Sequence, residues 1–414
     1  MLPQKLGNET NIKLPFSFIL FSQAALILSQ FILLFNGGLM AEGVFRIPAV
    51  WSAAHLFILG WALMGAMGAM YQLVPVAFLT PIWSEKFGCI QYAFTSLGIS
   101  LFAAALFYAP HKALIPGVLT IIGIGMFVFQ MVMTLKSQAK PNILTLFVGT
   151  ALLCLLFTIS LGLILVYSLK TGFMSCDYQA LFKSHLLLGL AGWFTLLIFG
   201  FSYKMVPMFS LSHGFSMKHA KYVFMFYSAG IAITLISFFT ANTSEAKVGF
   251  AFLFTGFLLF AWHVAAILKK RLKKKLDKPF SVAILAIGFG AAIHLAAFLC
   301  LWSSNPGELL GPIIYVYIFL WIALSILGYL YKIIPFLWWT HKYSKEIGKR
   351  AVPSLKEMMN EKTAIPLFSI FVLGVLLVFT SLVIRNAHLF NFGQFLVSCT
   401  FVLIVFILLN VIRK

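Results

Sequence analysis

The stretch WALMGAMGAMYQLVP at residues 61–75 returns twice, as WFTLLIFGFSYKMVP at 193–207 and as WIALSILGYLYKIIP at 321–335. Each copy has a Trp, a Gly seven residues on, a Tyr at ten and a Pro at fourteen: Trp61, Gly68, Tyr71, Pro75; Trp193, Gly200, Tyr203, Pro207; Trp321, Gly328, Tyr331, Pro335. The Trp residues stand 132 and 128 positions apart, so the chain is a threefold repeat of about 130 residues. Trp and Gly at a spacing of seven share nearly one helical face, where Gly admits a neighbouring backbone and the indole fills the space above it. Packing accounts for all twelve positions. The Pro is expected to close each helix, where a missing amide donor does least harm.

What surrounds the copies is apolar. Of 414 residues, 62% are hydrophobic and 10% charged, more apolar surface than one soluble core can bury. Spans are expected near 14–35, 49–77, 89–109, 112–135, 143–168, 180–209, 221–241, 246–268, 280–303, 309–338, 364–384 and 391–411. Their length suits a hydrocarbon core about 30 Å thick, and runs such as Ala364 to Ile384 argue for helices rather than a barrel. The expected fold is all-α and polytopic, a single membrane domain of about twelve transmembrane helices.

The signature falls on spans two, six and ten. Each repeat then holds four helices, over 14–140, 141–278 and 279–414, and an even number keeps the repeats parallel, with pseudo-three-fold symmetry about the membrane normal. Transporters of inverted repeats or of two six-helix halves are built differently.

A net charge of +20 would suggest nucleic acid in a soluble chain, but here the basic residues cap the spans. Alternating the loops places 24 Lys and Arg on one side, including the run Lys269 to Lys278, and six on the other: Arg46, Lys112, Lys170, Lys183, Lys247 and Arg385. The positive-inside rule then puts both termini in the cytoplasm and the chain in a cell membrane, a bacterial inner membrane by expectation. The lipid bilayer is the expected partner and nucleic acid is not. No cleavable signal peptide is expected. The five cysteines form no CxxC or CxxCH pattern; Cys176 and Cys300 fall near the outer surface, and their pairing stays open.

Twelve spans in three parallel arcs resemble subunit I of the heme-copper oxidases and nitric-oxide reductases. His55, followed by an apolar face ending in YQLVPVAF at 71–78, is similar to inner-helix segments of the C-type oxidases and of NnrS-like heme proteins. The resemblance covers the whole chain and implies a respiratory heme protein. It makes His55 the ligand of a low-spin heme, and gives the copper-binding His of helix six a loose counterpart in His185, eight residues before its Trp where His55 stands six before its own. The chain departs from the pattern on helix seven, which has no His, and on helix ten, where Tyr315 stands at the position of His55 and Ile313 at that of His185. The sequence therefore does not read as a complete oxidase. Every acidic residue lies in a loop or at a span end, which removes a carboxylate relay for proton pumping.

Ionisable groups inside a membrane mark functional sites by default, here His55, His185, His263 and His294. Each has the alternative of hydrogen-bonding across helices as packing glue, the weightier alternative for His263 and His294. At about 100° per residue from each Trp, His55 falls near +120° and His185 near −80°, with depths differing by about 3 Å. Opposite offsets either bring two rings into one pocket, able to hold heme or a metal ion, or turn them apart. Met64, Met67 and Met70 read as flexible apolar filler before copper ligands.

Two functions follow. One is a heme-binding protein of respiratory electron transfer or of nitric-oxide or oxygen handling, with His55 and His185 as the expected cofactor and metal ligands, heme ahead of copper, and a partner membrane subunit or electron donor. The other is a cofactor-free assembly factor, scaffold or small-molecule transporter on the same fold.

Overall fold

The computed structural model describes residues 10–172, 177–359 and 362–413. Among them, twelve helices are long and apolar enough to cross a membrane: α1 Lys13–Glu42, α2 Pro48–Phe78, α3 Glu85–Tyr108, α4 Leu114–Lys136, α5 Ile143–Thr171, α6 Tyr178–Ser210, α7 Ala220–Thr240, α8 Thr243–Lys269, α9 Lys278–Cys300, α10 Pro306–Glu346, α11 Ala364–Ile384 and α12 Ala387–Arg413. The protein is an all-α polytopic membrane protein. Helices α2, α6 and α10, which carry the signature, are the most enclosed: 67%, 78% and 78% of their apolar windows are buried, against 28–50% elsewhere.

The chain divides into two compact units. One comprises Met1–Ala139, Asp277–Ala283 and Ile326–Lys414; the other comprises Lys140–Leu276 and Ile284–Ser325. The core of the first is aromatic around Trp61, whose ring lies 4.8 Å from Phe57 and 5.6 Å from Phe401 of α12. In the second, Phe199 stacks on Phe260 at 3.9 Å, and Phe257 meets Trp321 edge-on at 4.8 Å.

The repeat is written into the backbone as well as the side chains. Leu56–Leu63, Leu188–Thr195 and Tyr317–Ala323 leave the regular α-helix for a wider turn closed by i→i+5 hydrogen bonds. Each wide turn ends two residues after its Trp, and such turns mark inserted residues at sites under constraint. All three Trp residues are at most 1% exposed. The signature Gly then receives the first helix of its own repeat. A Cβ on Gly68 would lie 2.7 Å from Pro15 O of α1, one on Gly200 3.0 Å from Phe147 Cβ of α5, and one on Gly328 2.8 Å from Ala283 N of α9.

The Pro behaves differently from expectation in one copy. After Pro75 and Pro207 the helix does end, at Leu79 and Leu211, both left-handed with φ of 52° and 55°. Leu79 and Leu211 each donate their N–H to the carbonyl of that Pro. Pro75 leaves the Tyr71 carbonyl without its usual helical donor, and the Thr10 hydroxyl donates to it at 2.8 Å. Pro335 does not close its helix, which runs on to Tyr343. Two aromatics hold that extension: Trp338 packs on Phe16 at 5.6 Å, and the Trp339 indole donates to Pro353 O at 2.6 Å.

Candidate functional site

His55 is the last residue before the first wide turn. The segment is pinned from both sides, with Ser29 of α1 donating to Ala53 O at 2.9 Å and Ser52 donating to Ala103 O of α3 at 2.8 Å. The half-buried imidazole stands edge-on to Phe102 of α3, at 5.2 Å and 90°. Its Nδ1 lies 2.8 Å from Trp51 O. A carbonyl only accepts, so Nδ1 carries the proton and Nε2 presents its lone pair. That Nε2 has no hydrogen-bond partner among the described residues. An imidazole with one nitrogen anchored on a carbonyl and the other open is the arrangement that metal-ligating histidines adopt. As an axial donor to heme iron, His55 fits.

His185 turns the other way within its own repeat. Its Nδ1 is 2.9 Å from Thr158 O of α5, and its Cε1 sits where a Cβ on Gly162 would come within 3.0 Å. The ring thus rests on α5, the helix before its own, while the His55 ring rests on α3, the helix after. His55 and His185 belong to different compact units. The phase angles assigned to them from sequence do not hold, because both intervals to the Trp pass through a wide turn, where the step per residue is not that of an α-helix.

The other two intramembrane histidines are committed at both nitrogens. His263 faces the Tyr203 hydroxyl through Nδ1 at 3.2 Å and Ser216 O through Nε2 at 2.9 Å. His294 faces Gly290 O through Nδ1 at 2.7 Å and the Tyr227 hydroxyl through Nε2 at 3.0 Å. From His294 a chain of polar groups crosses the unit: the Tyr227 hydroxyl is 3.2 Å from that of Tyr317, which is 2.6 Å from Thr195 Oγ1, which accepts from Trp321 Nε1 at 2.9 Å. The two ends each have a set direction. Gly290 O only accepts, so His294 Nδ1 holds the proton and Nε2 must accept from Tyr227; an indole only donates. Thr195 Oγ1 also donates to Leu190 O at 3.1 Å, so its single proton is shared between that carbonyl and Tyr317, and Tyr317 has both Tyr227 and Thr195 within reach as acceptors.

Sequence reading missed this chain. Tyr227, Tyr317 and Thr195 sit in α7, α10 and α6 and meet only through tertiary packing. The available signal was hydroxyls at otherwise apolar span centres.

Among the described residues, no three His, Cys, Asp or Glu side chains gather in a metal-holding group, so a copper centre of several imidazoles has no donor set among them. Met64, Met67 and Met70 are at most 1% exposed, and Met67 Sδ accepts from Gln91 Nε2 at 3.7 Å, which fits filler. The Cys176 and Cys300 pairing rests on Cys176, outside the described residues. Comparison with protein-family models and with curated proteins finds no match for this chain.

Proposed function

We propose that this chain is a heme-binding membrane protein of the oxidase subunit I kind, with His55 as axial ligand, working in respiratory electron transfer or in nitric-oxide or oxygen handling. It sits in the cell membrane with both termini cytoplasmic, beside a partner subunit or electron donor. The observation that carries the reading is the His55 ring, anchored by Nδ1 on Trp51 O with Nε2 uncommitted. Bound there, heme supplies one-electron chemistry and an iron for diatomic gases. The chain's own contribution is to hold the ring: Trp51 O fixes the tautomer, Phe102 fixes the plane, and Ser52 ties the segment to α3.

The test is the visible spectrum of the purified protein with a heme count per chain. A Soret band that His55→Ala abolishes or shifts is the expected result; an unchanged band removes His55 as ligand. A second reading, a cofactor-free scaffold, assembly factor or transporter, is favoured by His263 and His294, whose nitrogens are all taken by protein groups. A colourless, metal-free preparation sustains that one.

A further inference from the structure

The unit built on α1, α2 and α12 carries polar atoms that its own side chains leave unmet. Gln23 Oε1, Gln30 Nε2, Gln394 Oε1 and Trp61 Nε1 are buried and have no hydrogen-bond partner among the described residues. Their residues are at most 2% exposed. In a membrane interior such groups are costly, because no bulk water stands ready to serve them.

The four atoms sit on α1, α2 and α12, which pack together along one seam. Gln394 Nε2 donates to Gln30 Oε1 and to Ser398 Oγ, each at 3.0 Å, which joins α12 to α1. Gln23 is seven residues from Gln30 on α1 and so on the same face, about 10 Å along the axis. Trp61 of α2 reaches the seam through its contact with Phe401 of α12. Exchanging the amide atoms of Gln23 does not relieve it: Nε2 donates to Ser22 Oγ at 3.0 Å, and the Ser22 hydroxyl is itself spent on Ile19 O at 2.7 Å. There is also room. Gly65, one turn from Trp61, is buried, yet a Cβ there would meet only Ser22 Oγ at 3.6 Å and Ser22 Cβ at 3.9 Å.

Two open acceptors and two open donors, without a charge among them, call for a ligand that is neutral and both gives and takes hydrogen bonds. A cation would be repelled by the indole N–H and the Gln30 amide, an anion by the two carbonyl oxygens. We propose that this seam binds a short file of water, running from the Gln30 and Gln394 pair to Gln23 and Trp61, as an intramembrane hydration site independent of any heme. Water is small enough to follow the seam and needs two to four polar partners per molecule, as offered here.

Radiolytic hydroxyl labelling of the full chain in lipid vesicles tests it, because radicals formed from bound water oxidise the side chains beside it. Trp321 is the internal control, its N–H being taken by Thr195. The expected result is Trp61 oxidised several-fold faster than Trp321, and that excess lost in Gln23→Leu. Equal rates at the two indoles overturn the proposal. Thermal unfolding reads the same variant independently: Gln23→Leu lowers Tm if water is held there, whereas a rise in Tm means the amide was an unpaired burden in a dry core.

Discussion

Trp61 and Trp321 occupy the same place in two copies of one repeat and have opposite polar surroundings. Both stand two residues before the end of a wide turn, and both are fully buried. Trp321 gives its N–H to Thr195 and heads a chain that is satisfied through to Gly290 O. Trp61 packs on Phe57 and Phe401 and leaves its N–H open. The difference teaches that backbone geometry and packing are what the copies share. The polar groups set around that frame are particular to each, and function, where it depends on them, is not threefold.

The shared part is the harder to disturb without loss. Gly68→Val places a branched side chain where even a Cβ would lie 2.7 Å from Pro15 O. Backbone cannot give way as a side chain tip does, so α1 and α2 must separate. The expected cost is about 3 kcal/mol, the upper part of the range for overpacking, seen as a large fall in Tm or in folded yield from detergent. A neutral result would mean that the close approach of the two helices is not what the signature Gly secures.

Thr195→Val attacks the copy-specific part and turns the Trp321 neighbourhood into one like that of Trp61. Valine keeps the shape but leaves the indole N–H orphaned and removes the hydroxyl that Tyr317 faces. One stranded buried donor costs about 1–3 kcal/mol, to be measured as a drop in unfolding free energy or Tm. The same variant sharpens the labelling experiment: Trp321 stays slow if packing alone keeps it dry, and quickens if the chain of hydroxyls was what excluded water.

Much of the frame was legible beforehand, and the reason is that it is local. Twelve apolar runs, the signature at 7, 10 and 14 residues, and the burial of α2, α6 and α10 all follow from residues near one another in sequence. The wide turns were not legible, because Leu56–Leu63 and its counterparts differ from ordinary helix only in which carbonyl each amide meets. That blind spot also misdirected the phases of His55 and His185. The partners of His263 and His294 were illegible for a different reason: Tyr203 lies 60 residues from His263 and Tyr227 lies 67 from His294. Pro335 does not terminate α10 because Trp338 finds Phe16, far back along the chain, and Trp339 finds Pro353, 14 residues on in the following loop.

Gly65→Ala is the mildest change and the closest probe of the Trp61 side. It lies three residues from Gly68 on the same helix, but the two differ in what a methyl would meet: backbone at 2.7 Å for Gly68, and only Ser22 at 3.6 Å and beyond for Gly65. In a dry seam the added methyl fills space and replaces the poorest helix former but one, so stability rises by up to about 1 kcal/mol. In a hydrated seam it displaces part of the file, and the gain in helix propensity is offset by partners lost at Gln23 and Trp61. The predicted result is therefore a Tm within a degree or so of the parent, accompanied by slower oxidation of Trp61. A clear rise in Tm with oxidation unchanged would show that the room beside Ser22 is not connected to the indole, and that the two Trp environments differ in hydrogen bonding alone.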